Sequence, residues 1–160
     1  MAIRAVALDV DGVLTDGTFT WSAGGEEIKT FSFRDVMGIS LASRRGIVFA
    51  LISGESGPLI ERYAKKMGIG FVWQGCRDKA LAVREFSQAA GVPLEEICFV
   101  GDDINDLAAM ALAGSSAAPA DAHPGVLAAV DYVSPCGGGR GAVRDVLEHH
   151  ALCDAPQMRA

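Results

Sequence analysis

Short apolar runs alternate with helix-patterned segments along the chain. Ile3–Asp9 is apolar and β-branched and reads as a buried first strand. Thr18–Ser22 and Glu27–Phe33 flank Ala23-Gly24-Gly25-Glu26, which predicts a hairpin. Asp35 is placed to cap a helix reaching about Arg45, with Gly46 ending it. Ile47–Ile52 reads as a second buried strand, Pro58–Met67 as a helix closed by Gly68, and Gly70–Trp73 as a short strand. Asp78–Ala90 has a clear helical pattern and is closed by Gly91. Ile97–Val100 reads as a strand and leads through Gly101-Asp102-Asp103 into a helix from about Ile104 to Ala113. Weaker strands fit Ser116–Ala118 and Asp131–Val133, and a last helix fits Ala142–His149.

Repeated strand–helix alternation predicts an α/β fold, a doubly wound, Rossmann-like parallel sheet. The hairpin at 18–33 interrupts it as an insertion. A two-stranded ribbon is marginal alone, and Phe19, Trp21, Ile28, Phe31 and Phe33 give this one an apolar side. It is expected to pack on another subunit or on the body. Residues 1–153 are expected to form a single domain, with 154–160 as a flexible tail.

Composition narrows the function classes. Of 160 residues, 50% are hydrophobic, which excludes disorder. Lys and Arg total 14 against 20 Asp and Glu, a formal net charge of −6, and no basic run is present, so no nucleic-acid partner is expected. A phosphorylated substrate would need a metal or a few placed cations. Cys76, Cys98, Cys136 and Cys153 are far apart and form no Cys-x-x-Cys pair, so a zinc site is not expected. No apolar run approaches the roughly 20 residues of a membrane span. The first strand begins within three residues of Met1, leaving no place for a leader, and the expected location is cytoplasmic.

The candidate chemistry sits at predicted strand ends. Asp9-Val10-Asp11-Gly12 follows the first strand. Such residues also suit a plain turn, yet two acids at a strand tip repel unless a cation or a shared proton offsets the charge. A second cluster, Asp102, Asp103 and Asp106, follows Ile97–Val100. Capping explains one acid at a helix start; three within five residues exceed that need. Two acidic strand tips in one sheet could converge on Mg²⁺, which takes oxygen ligands and keeps room for phosphate and water. Ser53-Gly54 lies at the tip of Ile47–Ile52, where a hydroxyl and backbone amides can cradle phosphate, although a turn would look the same. Lys79 opens the helix Asp78–Ala90, either as a solvated side chain or as a fixed cation.

The ordered set Asp-x-Asp-Gly, Ser-Gly, Lys, Gly-Asp-Asp-x-x-Asp, spread over residues 9–106, resembles the haloacid dehalogenase superfamily of phosphatases. The resemblance implies Asp9 as the nucleophile that forms an aspartyl-phosphate and Asp11 as the general acid/base. It implies Ser53, Gly54 and Lys79 as phosphate-binding groups and Asp9, Asp11 and Asp102 at Mg²⁺. Asp103 would assist at the metal, and Asp106 would orient Lys79. Only the hairpin stands where many members carry a cap domain. Further stretches, among them Gly24-Gly25-Glu26-Glu27-x-Lys29-x-Phe31 and Gly138-Gly139-x-Gly141-Ala142-Val143-Arg144, are similar to the capless 3-deoxy-manno-octulosonate 8-phosphate phosphatase family. That resemblance implies a homotetramer whose hairpins form a central barrel and whose subunits cover one another's sites. Two positions depart from it: Glu55 replaces the usual Arg after Ser53-Gly54, and Val36 replaces a Gly after Arg34-Asp35. Glu55 resembles the branch acting on nine-carbon nonulosonate 9-phosphates of the sialic acid type. The expected substrate is the eight-carbon 8-phosphate, with the nonulosonate as alternative. Glu55, Arg34 and Lys66, or a neighbouring subunit's tail, are the candidates for reading the sugar. Other classes weighed are a catalytically inactive phosphatase-like assembly domain, a response-regulator receiver and a phosphomutase. The retained acids and Lys79 oppose the first, the lack of an acceptor at Ser53-Gly54 the second, and the lack of a cap the third.

Overall fold

The computed structural model describes residues 2–153; the expected tail lies outside the described residues. Six parallel strands form one sheet in the order β5-β4-β1-β6-β7-β8. They are β1 (Ala5–Leu8), β4 (Val48–Ile52), β5 (Phe71–Trp73), β6 (Ile97–Val100), β7 (Ser115–Ala118) and β8 (Tyr132–Val133). β1 and β6, at the centre, are buried along their whole length. Their continuous apolar runs have the character of strands covered on both faces.

Alternation along each strand divides the core in two. Val6 and Leu8 of β1 join Ile39, Ile60, Tyr63, Val143 and Leu147 on one side. Those partners come from α1 (Phe33–Arg44), α2 (Pro58–Met67) and α6 (Ala142–His149). Ala5 and Ala7 face the other way, with Val83, Phe86, Met110 and Val126. There the helices are α3 (Lys79–Ala90), α4 (Leu107–Met110) and α5 (Pro124–Leu127). This is the expected doubly wound sheet.

Several expected details differ. The hairpin is reduced to β2 (Thr20–Trp21) and β3 (Glu27–Ile28), closed by a Gly25 N–H bond to the Ser22 carbonyl. Residues beyond Ile28 leave the ribbon because they reach the body: Phe31 stacks on Tyr63 of α2 at 4.5 Å. Ser32, not Asp35, caps α1, accepting from the Arg34 N–H. Asp35 is fully buried and accepts instead from the Arg144 N–H at the start of α6, whose Gly141 cap carries no side-chain acceptor. The helix expected from Ile104 to Ala113 is a 3₁₀ turn, Ile104–Asp106, followed by the four-residue α4. Gly114 then packs so tightly beneath Glu95 that a Cβ on it would lie 2.0 Å from the Glu95 carbonyl oxygen. The short α5, capped by the His123 ring accepting from Gly125 N–H, was not anticipated.

Candidate active site

The carboxyl ends of β1, β4 and β6 converge, and three loops meet there. Asp9 immediately follows β1; its N–H donates to the Val100 carbonyl, tying the tip of β1 to β6. Its carboxylate Oδ1 accepts from the Val10 N–H at 2.8 Å and from Lys79 Nζ at 3.0 Å. Thr15 Oγ1 accepts from the Gly12 and Gly17 N–H groups, closing the loop that carries Asp11. Gly12 has φ +87°, and a Cβ there would stand 1.9 Å from Asp102 Oδ2. Only glycine lets the first loop approach the second acidic cluster so closely.

Ser53, at the tip of β4, is buried, and its Oγ accepts from the Glu55 N–H. Lys79 is the first residue of α3, a helix capped by Asp78 accepting from the Leu81 N–H. Although charged, Lys79 is only 3% exposed. Its ammonium is 2.6 Å from Asp106 Oδ1, and the other oxygen of Asp106 accepts from the Asp102 and Asp103 N–H groups. Asp106 therefore organises the acidic loop and holds Lys79 together.

A cavity of about 250 Å³ opens over these tips and is lined by Asp9, Asp11, Ser53, Gly54, Glu55 and Lys79, with Asp102 and Asp103 on its far side. Among the described residues, the carboxylates close enough to share one cation are Asp9, Asp102 and Asp106, whose ligand atoms lie within 4.8 Å of one another. Asp106 is already engaged by Lys79 and two amides. Asp9 and Asp102 could hold a metal between them. The Asp11 carboxylate, expected at the metal, lines the same cavity; it is not in that close group, and its Oδ1 is bonded to Lys29 Nζ at 2.7 Å. Arg34 and Lys66 do not line this cavity. Arg34 lies against Gly141, and the Lys66 ammonium sits 5.8 Å from the centre of the Phe33 ring.

The electrostatics are those of a frustrated acid cluster. Burial pushes the Asp9 carboxyl up to about 8, with the Asp106 charge adding to the rise and Lys79 opposing it. Burial, then the charge of Asp106, raises Asp102 to about 6. Burial disfavours charge on Lys79, but Asp9 and Asp106 outweigh it and leave the ammonium above its ordinary pKa. Hard oxygen donors held close against mutual repulsion suit Mg²⁺.

Lys29 was missed as a site residue. Its side chain is 6% exposed and pairs with Asp11 and, at 3.3 Å, with Glu27. The signal available was its place in the family-like stretch Gly24–Phe31; a Lys among hairpin acids alone reads as a solvated face.

A model of haloacid dehalogenase-like hydrolases matches residues 71–141. The 3-deoxy-D-manno-octulosonate 8-phosphate phosphatase KdsC of Escherichia coli is 40% identical over 146 residues, covering 91% of this chain and 78% of the bacterial one. The chain belongs to this phosphatase family, within the haloacid dehalogenase-like hydrolases. The crystal structure of the family member from Yersinia pestis superposes with a TM-score of 0.91 at 40% identity, over 94% of this chain and 82% of that one. The Moraxella catarrhalis phosphatase, solved with magnesium, phosphate and its octulosonate sugar acid, gives a TM-score of 0.90 at 34% identity, over 95% of this chain and 87% of that one.

Proposed function

We propose that this chain is a Mg²⁺-dependent phosphatase that hydrolyses 3-deoxy-D-manno-octulosonate 8-phosphate through an aspartyl-phosphate on Asp9. The observation that carries the reading is the convergence of Asp9, Asp102 and Lys79 at one strand-tip cavity. Relatives named for this activity are 40% identical over 91% of the chain. Asp9 attacks phosphorus, the bond to the sugar oxygen breaks, and Asp11 protonates that oxygen as it leaves. Asp11 then takes a proton from the water that attacks phosphorus and frees Asp9. Lys79, the Ser53 hydroxyl and the Gly54 amide hold the phosphoryl oxygens. Asp9 and Asp102 would hold Mg²⁺, which, when bound, offsets the negative charge gathered between carboxylates and phosphate. Asp103 supports that loop, and Asp106 keeps Lys79 aimed.

Residues 1–153 act as one catalytic domain, and the ribbon serves assembly. Phe19, Trp21 and Ile28 are each more than half exposed, which supports a homotetramer built on the hairpin. Arg34 and Lys66, outside the cavity of their own chain, would reach substrate only across such an interface. No helix among the described residues is long and apolar enough to cross a membrane, and a cytoplasmic location fits a small phosphorylated substrate.

One observation favours a second reading of the sugar: Glu55 lines the cavity where a substrate hydroxyl could meet it, which supports a nonulosonate 9-phosphate. Phosphate release from a panel of sugar-acid phosphates, with Mg²⁺ and with EDTA, tests both. The 8-phosphate should be turned over fastest and only with metal. Release from none of the panel would overturn the function, and an inactive assembly domain would replace it.

A further inference from the structure

We propose that Lys29 is a positioning residue for Asp11, so that the hairpin belongs to the catalytic machinery as well as to assembly. The proposal rests on the reading of Asp11 as the acid that protonates the leaving sugar oxygen.

Lys29 follows β3 directly, and its neighbour Ile28 is 53% exposed, yet the Lys29 side chain turns inward and is almost sealed from solvent. Burying an ammonium is costly unless it is paired. Here it meets two carboxylates, Asp11 Oδ1 at 2.7 Å and Glu27 Oε1 at 3.3 Å. A free aspartate carboxylate turns easily about its last torsion. Lys29 removes that freedom by taking one oxygen. The other, Oδ2, is buried and has no hydrogen-bond partner among the described residues. It is the unpartnered polar atom of a residue that lines the site cavity.

Asp11 lines the small cavity, while Lys29 lines a larger one of about 580 Å³ between residues 25–29 and 56–62. The ion pair thus links a residue lining one space to a residue lining the other. In the step concerned, the Asp9–phosphorus bond forms, the phosphorus–oxygen bond to the sugar breaks, and the Asp11 proton passes to that oxygen. Its efficiency depends on a hydrogen-bond-length approach, and small misplacements of such a group are costly.

A purely structural lysine would affect all substrates alike; a positioning lysine would not. An alkyl phosphate needs its leaving oxygen protonated, whereas p-nitrophenyl phosphate releases an anion stable at neutral pH. The test is kcat and KM for both substrates, at saturating Mg²⁺, in the full-length wild type, Lys29→Met, Lys29→Arg, Asp11→Asn and the Asp11→Asn/Lys29→Met double variant. Lys29→Met should lower kcat/KM on the 8-phosphate about 10²-fold with kcat/KM on p-nitrophenyl phosphate little changed, because that ratio reads only the step in which the leaving group departs and not the later attack of water, which uses Asp11 for both substrates. Lys29→Arg should recover most of the loss, and Lys29→Met should cost nothing further once Asp11 is Asn. Equal losses on both substrates, wild-type rates in Lys29→Met, or a further large loss in the double variant would overturn the proposal for Lys29 alone. An Asp11→Asn variant that lowers kcat/KM equally for both substrates would remove the acid role of Asp11 and this proposal with it, leaving Mg²⁺-dependent hydrolysis on Asp9 standing.

Discussion

Lys79 Nζ lies 2.6 Å from Asp106 Oδ1, and both side chains are shut off from solvent. The second oxygen of Asp106 holds the Asp102 and Asp103 amides, so one carboxylate fixes both the cation and the metal loop. Removing one partner of a buried pair strands the other. Asp106→Ala should therefore destabilise the protein by about 3–5 kcal/mol, read as a lowered urea midpoint, and abolish turnover. Asp106→Asn, which keeps the shape, should lose less stability. A loss below about 1 kcal/mol in Asp106→Ala, the level of an exposed pair, would show that the bond carries no such weight.

Gly12→Ala should separate stability from metal use. Left-handed backbone at a non-glycine residue costs about 1–2 kcal/mol, but the added Cβ would also displace the Asp102 carboxylate. The expected result is a modest fall in Tm with a large rise in the Mg²⁺ concentration needed for half-maximal activity. An unchanged Mg²⁺ requirement would remove Asp102 from the metal.

Proton linkage predicts how the metal-free protein responds to pH. The folded state holds the Asp9 proton up to about 8 and the Asp102 proton up to about 6, against 3.8 for an unperturbed aspartate. Between those values the folded state binds more protons than the unfolded one. These two groups therefore make stability fall as pH rises from about 4 to about 8. Mg²⁺ competes with those protons, so its stabilising effect should be larger at pH 8 than near pH 5. Thermal unfolding at both pH values, with and without Mg²⁺, measures it; equal Mg²⁺ shifts at the two would contradict the linkage.

If Glu55 reads a substrate hydroxyl, Glu55→Arg should move preference toward the eight-carbon acid by about 1–3 kcal/mol, the cost of a substrate hydroxyl left unpaired in the bound complex. The readout is the ratio of kcat/KM values for the 8- and 9-phosphates. An unchanged ratio would leave Glu55 a bystander.

The parallel sheet and its acidic tips were legible in the sequence for a physical reason. Central strands buried on both faces must be apolar throughout, so charges stand out where they end, as Asp9 does after Leu8 and Asp102 after Val100-Gly101. Pairings between distant segments were not legible. Asp35 serves the start of α6, 109 residues away, and so resembles an ordinary cap of its own helix. Lys29 reaches Asp11 only because the ribbon folds back over 18 residues. The close seat of Gly138 on the Gly12 carbonyl, where a Cβ would lie 1.9 Å away, also depends on a loop meeting its partner from the far end of the chain. Arg34 and Lys66 lie outside the cavity of their own chain, and the sequence does not say which way an exposed side chain turns.

The central claim is that Asp9 performs Mg²⁺-dependent phosphoryl transfer from a sugar-acid phosphate. Its most direct test is the rate of inorganic phosphate release from 3-deoxy-D-manno-octulosonate 8-phosphate at saturating Mg²⁺ by the wild type and by Asp9→Asn. An amide cannot form the acyl-phosphate, so the wild type should turn over steadily and Asp9→Asn should give no release above background. Turnover by Asp9→Asn at a rate comparable to the wild type, or none by the wild type itself, would contradict the account.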